Sequence, residues 1–292
     1  MCNEATYTRM ITISQPIDVE GRKESDTLNR LCTLPRLNPS ASRLLGVSTD
    51  VDSALEEFSA IFSSDPSLAA ELLRVANSAQ FGLRASVSNL QFALMLLGTE
   101  GTRNLAFTIA LTTYSRGGLS KDQIRPLWLH SIATAVIAEE IGHCVAPELA
   151  DLYTAGLTHD LGRLGLLRLE GKRYGETLSK TYTSVDEANT LEKVLFGLTH
   201  AEAGGHLAQT WSFPPLLCSS IRTHHNCLTV DGGRGVRINQ QACILAALLG
   251  YPELPNCPIP EADRTFFEAF RSRPELTPER LKARILRQIQ VI

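Results

Sequence analysis

From Leu31 onward, apolar residues recur at spacings of three and four, the repeat that gives a helix one buried stripe. Residues 1 to about 27 carry no such stripe and read as a polar lead-in. Leu34-Pro35 to Val47 predicts a first helix with Leu37, Ala41, Leu44 and Leu45 on one side. A second, capped by Asp50 or Asp52, carries Leu55, Phe58, Ile61 and Phe62. Asp65-Pro66 opens a third, since Pro tolerates the first helical position, where its missing N–H costs nothing. Its stripe is Leu68, Leu72, Val75 and Ala76. Ser88-Asn89 opens a segment stopped by Gly98, and another helix runs from Thr102. Gly117-Gly118 supplies the backbone freedom of a boundary.

Beyond that boundary, Ser120 to Gln123 reads as a capping box opening a long helix to about Gly142. Pro147 opens the next, which ends in His159 and Asp160. Ser184 to Glu187 caps a helix with Leu191, Val194 and Leu195. Thr199 to Glu202 caps one that begins at His200 and ends near Trp211. Pro214-Pro215 starts one reaching His224 and His225. Helices from about Val236 to Leu249 and from Thr277-Pro278 complete the chain. No stretch alternates with period two, so the expected fold is all-α. The expected organisation is a lead-in over 1–27, an N-terminal helical subdomain over 28–118, a core bundle over 119–230, and C-terminal helices over 231–292.

Composition narrows the function classes. Over 292 residues, 28 Lys and Arg against 31 Asp and Glu leave a net charge of −3, so no basic footprint for nucleic acid or an anionic membrane exists. The N-terminus lacks the basic region and apolar run of a secretory leader. Seven cysteines, odd in number and never in a Cys-x-x-Cys pair, read as reduced thiols. A cytoplasmic location is the expectation.

The chemistry lies in the histidines. Five of the seven, His130, His159, His200, His224 and His225, fall on four predicted helices, mostly at their ends, and His159 is followed by Asp160. Imidazole with carboxylate suits a divalent transition metal, Fe, Mn, Zn or Ni, better than calcium, and bundles build such sites from facing helices. The competing reading is a set of polar residues capping helix-end carbonyls. His224 and His225 diverge by about 100° on an ideal helix, so both reach one cluster only from its edge. His143 and His206 read as surface or cap residues.

The ordered series Leu34-Pro35, Ser64-Asp65-Pro66, Leu73 to Ala79, Leu96-Leu97-Gly98, Trp128-Leu129-His130, Gly156 to Arg163, Thr199 to Gly204, Trp211 to Pro214 and His224-His225 resembles the HDOD domain, an HD-related output domain of bacterial signalling proteins. The resemblance implies an HD-like bundle with an N-terminal helical subdomain, and kinship to HD and HD-GYP phosphohydrolases. It places metal ligands at His130, His159, Asp160, His200, His224 and His225, with Arg163 where the related enzymes carry lysine. It also marks departures. The late ligand aspartate is replaced by Cys243, Pro126 stands where two-metal members carry an acid, and Asn226-Cys227-Leu228 replaces the Gly-Tyr-Pro signature.

Fewer carboxylates imply weaker hold on a dication. No residue is therefore assigned a catalytic role. The expected function is regulation through a signalling protein partner or a small nucleotide-like ligand, with an oligomer compatible and no nucleic acid or membrane partner. The alternative is a metal-dependent phosphohydrolase acting on a cyclic dinucleotide or other nucleotide phosphodiester.

Overall fold

The computed structural model describes residues 19–37, 39–47, 51–78, 81, 86–115, 121–149, 151–226, 233–259 and 273–291. Among these the fold is all-α, with no strand. The helices are α1 (Val19–Cys32), α2 (Pro39–Leu44), α3 (Val51–Ser64), α4 (Pro66–Ala76), α5 (Leu90–Ser115), α6 (Lys121–Val145), α7 (Leu152–Thr158) and α8 (Leu161–Glu170). They continue as α9 (Lys172–Leu178), α10 (Val185–Phe196), α11 (His200–Thr210), α12 (Pro215–Thr223), α13 (Gly233–Leu248) and α14 (Pro278–Val291), the last preceded by a 3-10 turn at Pro274–Leu276. No helix among the described residues is long and apolar enough to cross a membrane.

Buried apolar side chains form two clusters. The smaller joins Leu44, Phe58, Phe62, Leu72 and Val75 to Ala93–Ala106 positions of α5. The larger takes in Leu31 of α1 and Leu37, enters the same helix at Phe107, and runs through α6 to α14. Gly98, at φ 71°, takes a conformation that L side chains avoid, and it kinks α5 there. The stop expected at Gly98 falls where the helical geometry breaks, and a second helical segment resumes beyond the kink.

Local signals decide several ends. Asp65 accepts from the Leu68 N–H with Pro66 next to it, as expected. Thr199 and Glu202 close a reciprocal capping box at α11. Three expectations shift. Helix α1 begins at Val19, inside the stretch read as lead-in; its buried side is narrow, with Thr27 and Leu31 covered, Leu28 half-buried beside them, and Arg22 to Asp26 exposed. The Leu34–Val47 helix shortens to α2, since α1 ends at Cys32 and the chain from Thr33 through Pro35 to Leu37 is turn and irregular backbone. The helix expected from Pro147 starts at Leu152. The boundary glycines Gly117 and Gly118, Ser120 of the box before α6, and Asp50 lie outside the described residues.

Candidate metal centre

Two glycines bring the site helices together. A Cβ at Gly156 in α7 would lie 2.6 Å from the Ala135 Cα of α6, so these helices touch backbone to backbone beside His130 and His159. A Cβ at Gly162 in α8 would lie 1.8 Å from the His200 carbonyl oxygen and 2.6 Å from the Gly204 nitrogen. Helices α8 and α11 therefore cross at hydrogen-bonding range, which sets Asp160 against His200. His159 and Asp160 occupy the corner between α7 and α8, as C-cap and N-cap respectively, rather than the last turn of one helix.

Each of four histidines spends its Nδ1–H on a fixed acceptor. His130 donates to the Tyr251 carbonyl (2.7 Å), His159 to Gly156 (2.6 Å) and His224 to Ile221 (2.8 Å), while His200 Nδ1 pairs with Glu192 Oε2 at 2.7 Å. A carbonyl or carboxylate oxygen only accepts, so Nδ1 carries a proton in each ring and Nε2 is turned toward the centre. Those Nε2 atoms converge: His130 to His159 at 3.1 Å, His200 to His224 at 3.2 Å, and His200 to His225 at 2.9 Å. The outward N–H bonds are those that orient histidines for metal binding.

The donor atoms form two adjacent groups, Asp160 with His200, His224 and His225, and His130 with His159 and Cys243. Asp160 touches both. Its Oδ1 lies 3.4 Å from His200 Nε2 and 3.5 Å from His224 Nε2, and its Oδ2 lies 3.7 Å from His159 Nε2. That Oδ2 is buried without a hydrogen-bond partner, an arrangement that suits a cation and is costly without one. Cys243 Sγ is 3.5 Å from His130 Nε2, and burial pushes its thiol well up. His143 and His206 stay outside, paired with Glu100 and with Cys32.

Arg163, which the resemblance places here, and three residues that the sequence reading does not name, Tyr174, Glu192 and Glu253, complete the centre. Arg163, 1% exposed, donates through Nε to Asp160 (3.2 Å), through Nη1 to Glu192 (3.2 Å) and through Nη2 to Glu253 (2.5 Å). Tyr174 donates to Glu192 at 2.7 Å. Burial alone would raise the Asp160 carboxyl, but the Arg163 guanidinium, with the histidines, holds it well below the usual range. Burial likewise opposes ionisation of Glu192, yet His200 and Arg163 bring it down to about 2. Glu192 did leave a signal: it shares the buried face of α10 with Ala188 and Phe196, a charge in an apolar stripe. The stripe expected there through Val194 is rotated, and Val194 is exposed. Glu253, on the loop after α13, left none.

Acid stability follows from these shifts. Burial holds His159 down to about 3, so below pH 6.5 the unfolded chain binds a proton that the folded one refuses. The contribution is present above pH 6.5 and is lost as pH falls toward 3. Glu192 adds a second loss between 4.5 and about 2. Urea midpoints of the metal-free protein are expected to fall between pH 7 and 4 by on the order of 2–4 kcal/mol. A flat profile down to pH 4 would contradict the burial of neutral His159.

A pocket of about 280 Å³ opens against this centre. His130, His224, His225, Cys243 and Glu253 form its floor, and Val185, Ile244, Ala247, Leu254, Pro258 and Ile259 supply apolar walls.

A helical bundle with paired histidine groups around a His-Asp corner is the architecture of HD-like proteins. The HDOD domain family model matches residues 34–227, and the chain belongs to that family. It is 26% identical over 234 residues to an uncharacterised protein of Treponema pallidum (strain Nichols), covering 76% of this chain and 44% of that one. The chain thus spans less than half the length of that relative. A crystal structure of an HDOD domain protein with unknown function from Geobacter sulfurreducens matches with a TM-score of 0.69 at 24% identity, over 91% of this chain and 96% of that one. A protein from Shewanella amazonensis SB2B, provisionally named a phosphohydrolase, matches with a TM-score of 0.61 at 24% identity, over 90% and 94%. Both likenesses concern the fold.

Proposed function

We propose that this protein is a regulatory member of its family, which binds a small ligand over a metal-holding histidine centre and does not hydrolyse phosphodiesters. The observation carrying this reading is electrostatic. No Lys or Arg is among the described residues lining the pocket, and Arg163 behind its floor is engaged by three carboxylates. Phosphoryl transfer depends on cationic clamps at the phosphate oxygens. The walls instead favour an apolar body. Gln240 also lines the pocket; its Nε2 is anchored on the Thr223 and Asn226 carbonyls, and its Oε1 is buried without a partner.

His130, His159, Asp160, His200, His224 and His225 would hold the metal, with Cys243 beside the first two. A bound divalent ion would supply Lewis-acid chemistry there. The two donor groups sharing Asp160 favour a second reading, a metal-dependent phosphohydrolase. Elemental analysis and turnover assays separate the two. Protein loaded with Mn, Fe, Zn or Ni is expected to retain metal and to leave cyclic dinucleotides and bis(p-nitrophenyl) phosphate unhydrolysed. Hydrolysis that disappears in His159→Ala would establish the phosphohydrolase instead.

A further inference from the structure

Three buried carboxylates, those of Asp160, Glu192 and Glu253, face a single guanidinium, and among the described residues no other Lys or Arg pairs with them. The three carboxylates are not equivalent. Glu192 is spent on the His200 backbone N–H, His200 Nδ1, Tyr174 and Arg163. Asp160 lies between the two donor groups. Glu253 alone of the three lines the pocket, and it sits on the loop after α13, within reach of both Arg163 and His225 Nε2, the latter at 3.6 Å.

We propose that Glu253 is a metal ligand in waiting: on binding of a divalent ion by Asp160, His200, His224 and His225, its carboxylate leaves Arg163 and joins that ion's coordination sphere. As placed, Glu253 stands beside those four donors and is not one of them, so a turn of its side chain is required. Arg163 can release it because Asp160 and Glu192 remain on Nε and Nη1. Independently of the acidic cluster, the Nε2 atoms of His224 and His225 lie 3.2 Å and 2.9 Å from that of His200, beside Asp160 Oδ1, a donor set that suits a divalent ion. Glu253 would then restore from a loop the negative charge that Cys243 does not provide from α13. It would also put a metal ligand in the pocket wall, so that a molecule entering the pocket meets the ion through Glu253.

This rests on the metal-binding part of the reading above, and cobalt(II) tests both separately. Binding is measured by chelator competition, and the visible d–d bands report coordination number and donor set. Glu253→Gln is expected to weaken cobalt binding by about 10–100-fold and to change the bands, with Glu253→Asp recovering part of each. A Gln variant with wild-type affinity and bands overturns the proposal, as does one with weakened binding but unchanged bands. Wild-type protein that takes up no cobalt overturns the metal reading itself. Circular dichroism in chelator checks that the variants fold, and the Asp variant carries the test if the Gln variant does not.

Discussion

Arg163→Met is expected to cost the metal-free protein about 3–5 kcal/mol, a large part of a typical domain's stability. The side chain is buried and each arm of its fork meets a different carboxylate. Methionine fills most of the space and none of the charge, so Asp160, Glu192 and Glu253 are left enclosed together. Arg163→Lys should fall between, because one ammonium cannot serve three carboxylates from one point. Addition of a divalent metal should recover part of the loss in Arg163→Met, since an ion that binds only the folded state stabilises it and supplies the missing positive charge. Urea melts with and without metal measure both effects. An unchanged midpoint in the methionine variant would contradict the ion-pair hub.

Gly162→Ala is expected to be equally damaging for a steric reason. The added methyl meets the His200 carbonyl and the Gly204 nitrogen, both backbone, so no side chain can swing aside. Helices α8 and α11 must separate, at a cost of about 3 kcal/mol or more, the upper end for overpacking. Separation also draws His200 from Asp160, so metal uptake should fall with stability. Gly101→Ala provides the control. Its methyl would meet only Leu97 Cβ at 3.7 Å, and in the first turn after the Gly98 kink it should be neutral or stabilising by up to about 1 kcal/mol. Thermal melts of the two variants that coincide would refute the close crossing.

What the sequence made legible was whatever carries a local signature. The capping box at Thr199, the Asp65-Pro66 start and the histidines beside helix ends all fall where their chemistry predicts. His159, Asp160, His200, His224 and His225 do converge, and the pair His224-His225 reaches His200 with both Nε2 atoms despite its divergence along the helix. The charge balance was not legible. Absence of acids at 126 and 243 suggested a weakly anionic centre, whereas Glu192 and Glu253 arrive from α10 and from a loop. Their role depends on which helices touch, and nothing within a few residues of either encodes that. Helix α1 escaped for a related reason: Gly197, at φ 83°, lets the backbone around Glu24 come so close that a short stripe suffices to hold it.

Helix α5 has one consequence for cooperativity. Leu105 and Ala106 belong to the smaller core, and Phe107, the next residue, belongs to the larger one. Two cores that meet within a single helical turn are expected to open together, since fraying either strips cover from the other's first residue. Added metal should therefore slow hydrogen exchange in α2 to α4 as well as around the histidines, and unchanged exchange there would show that the two cores open separately.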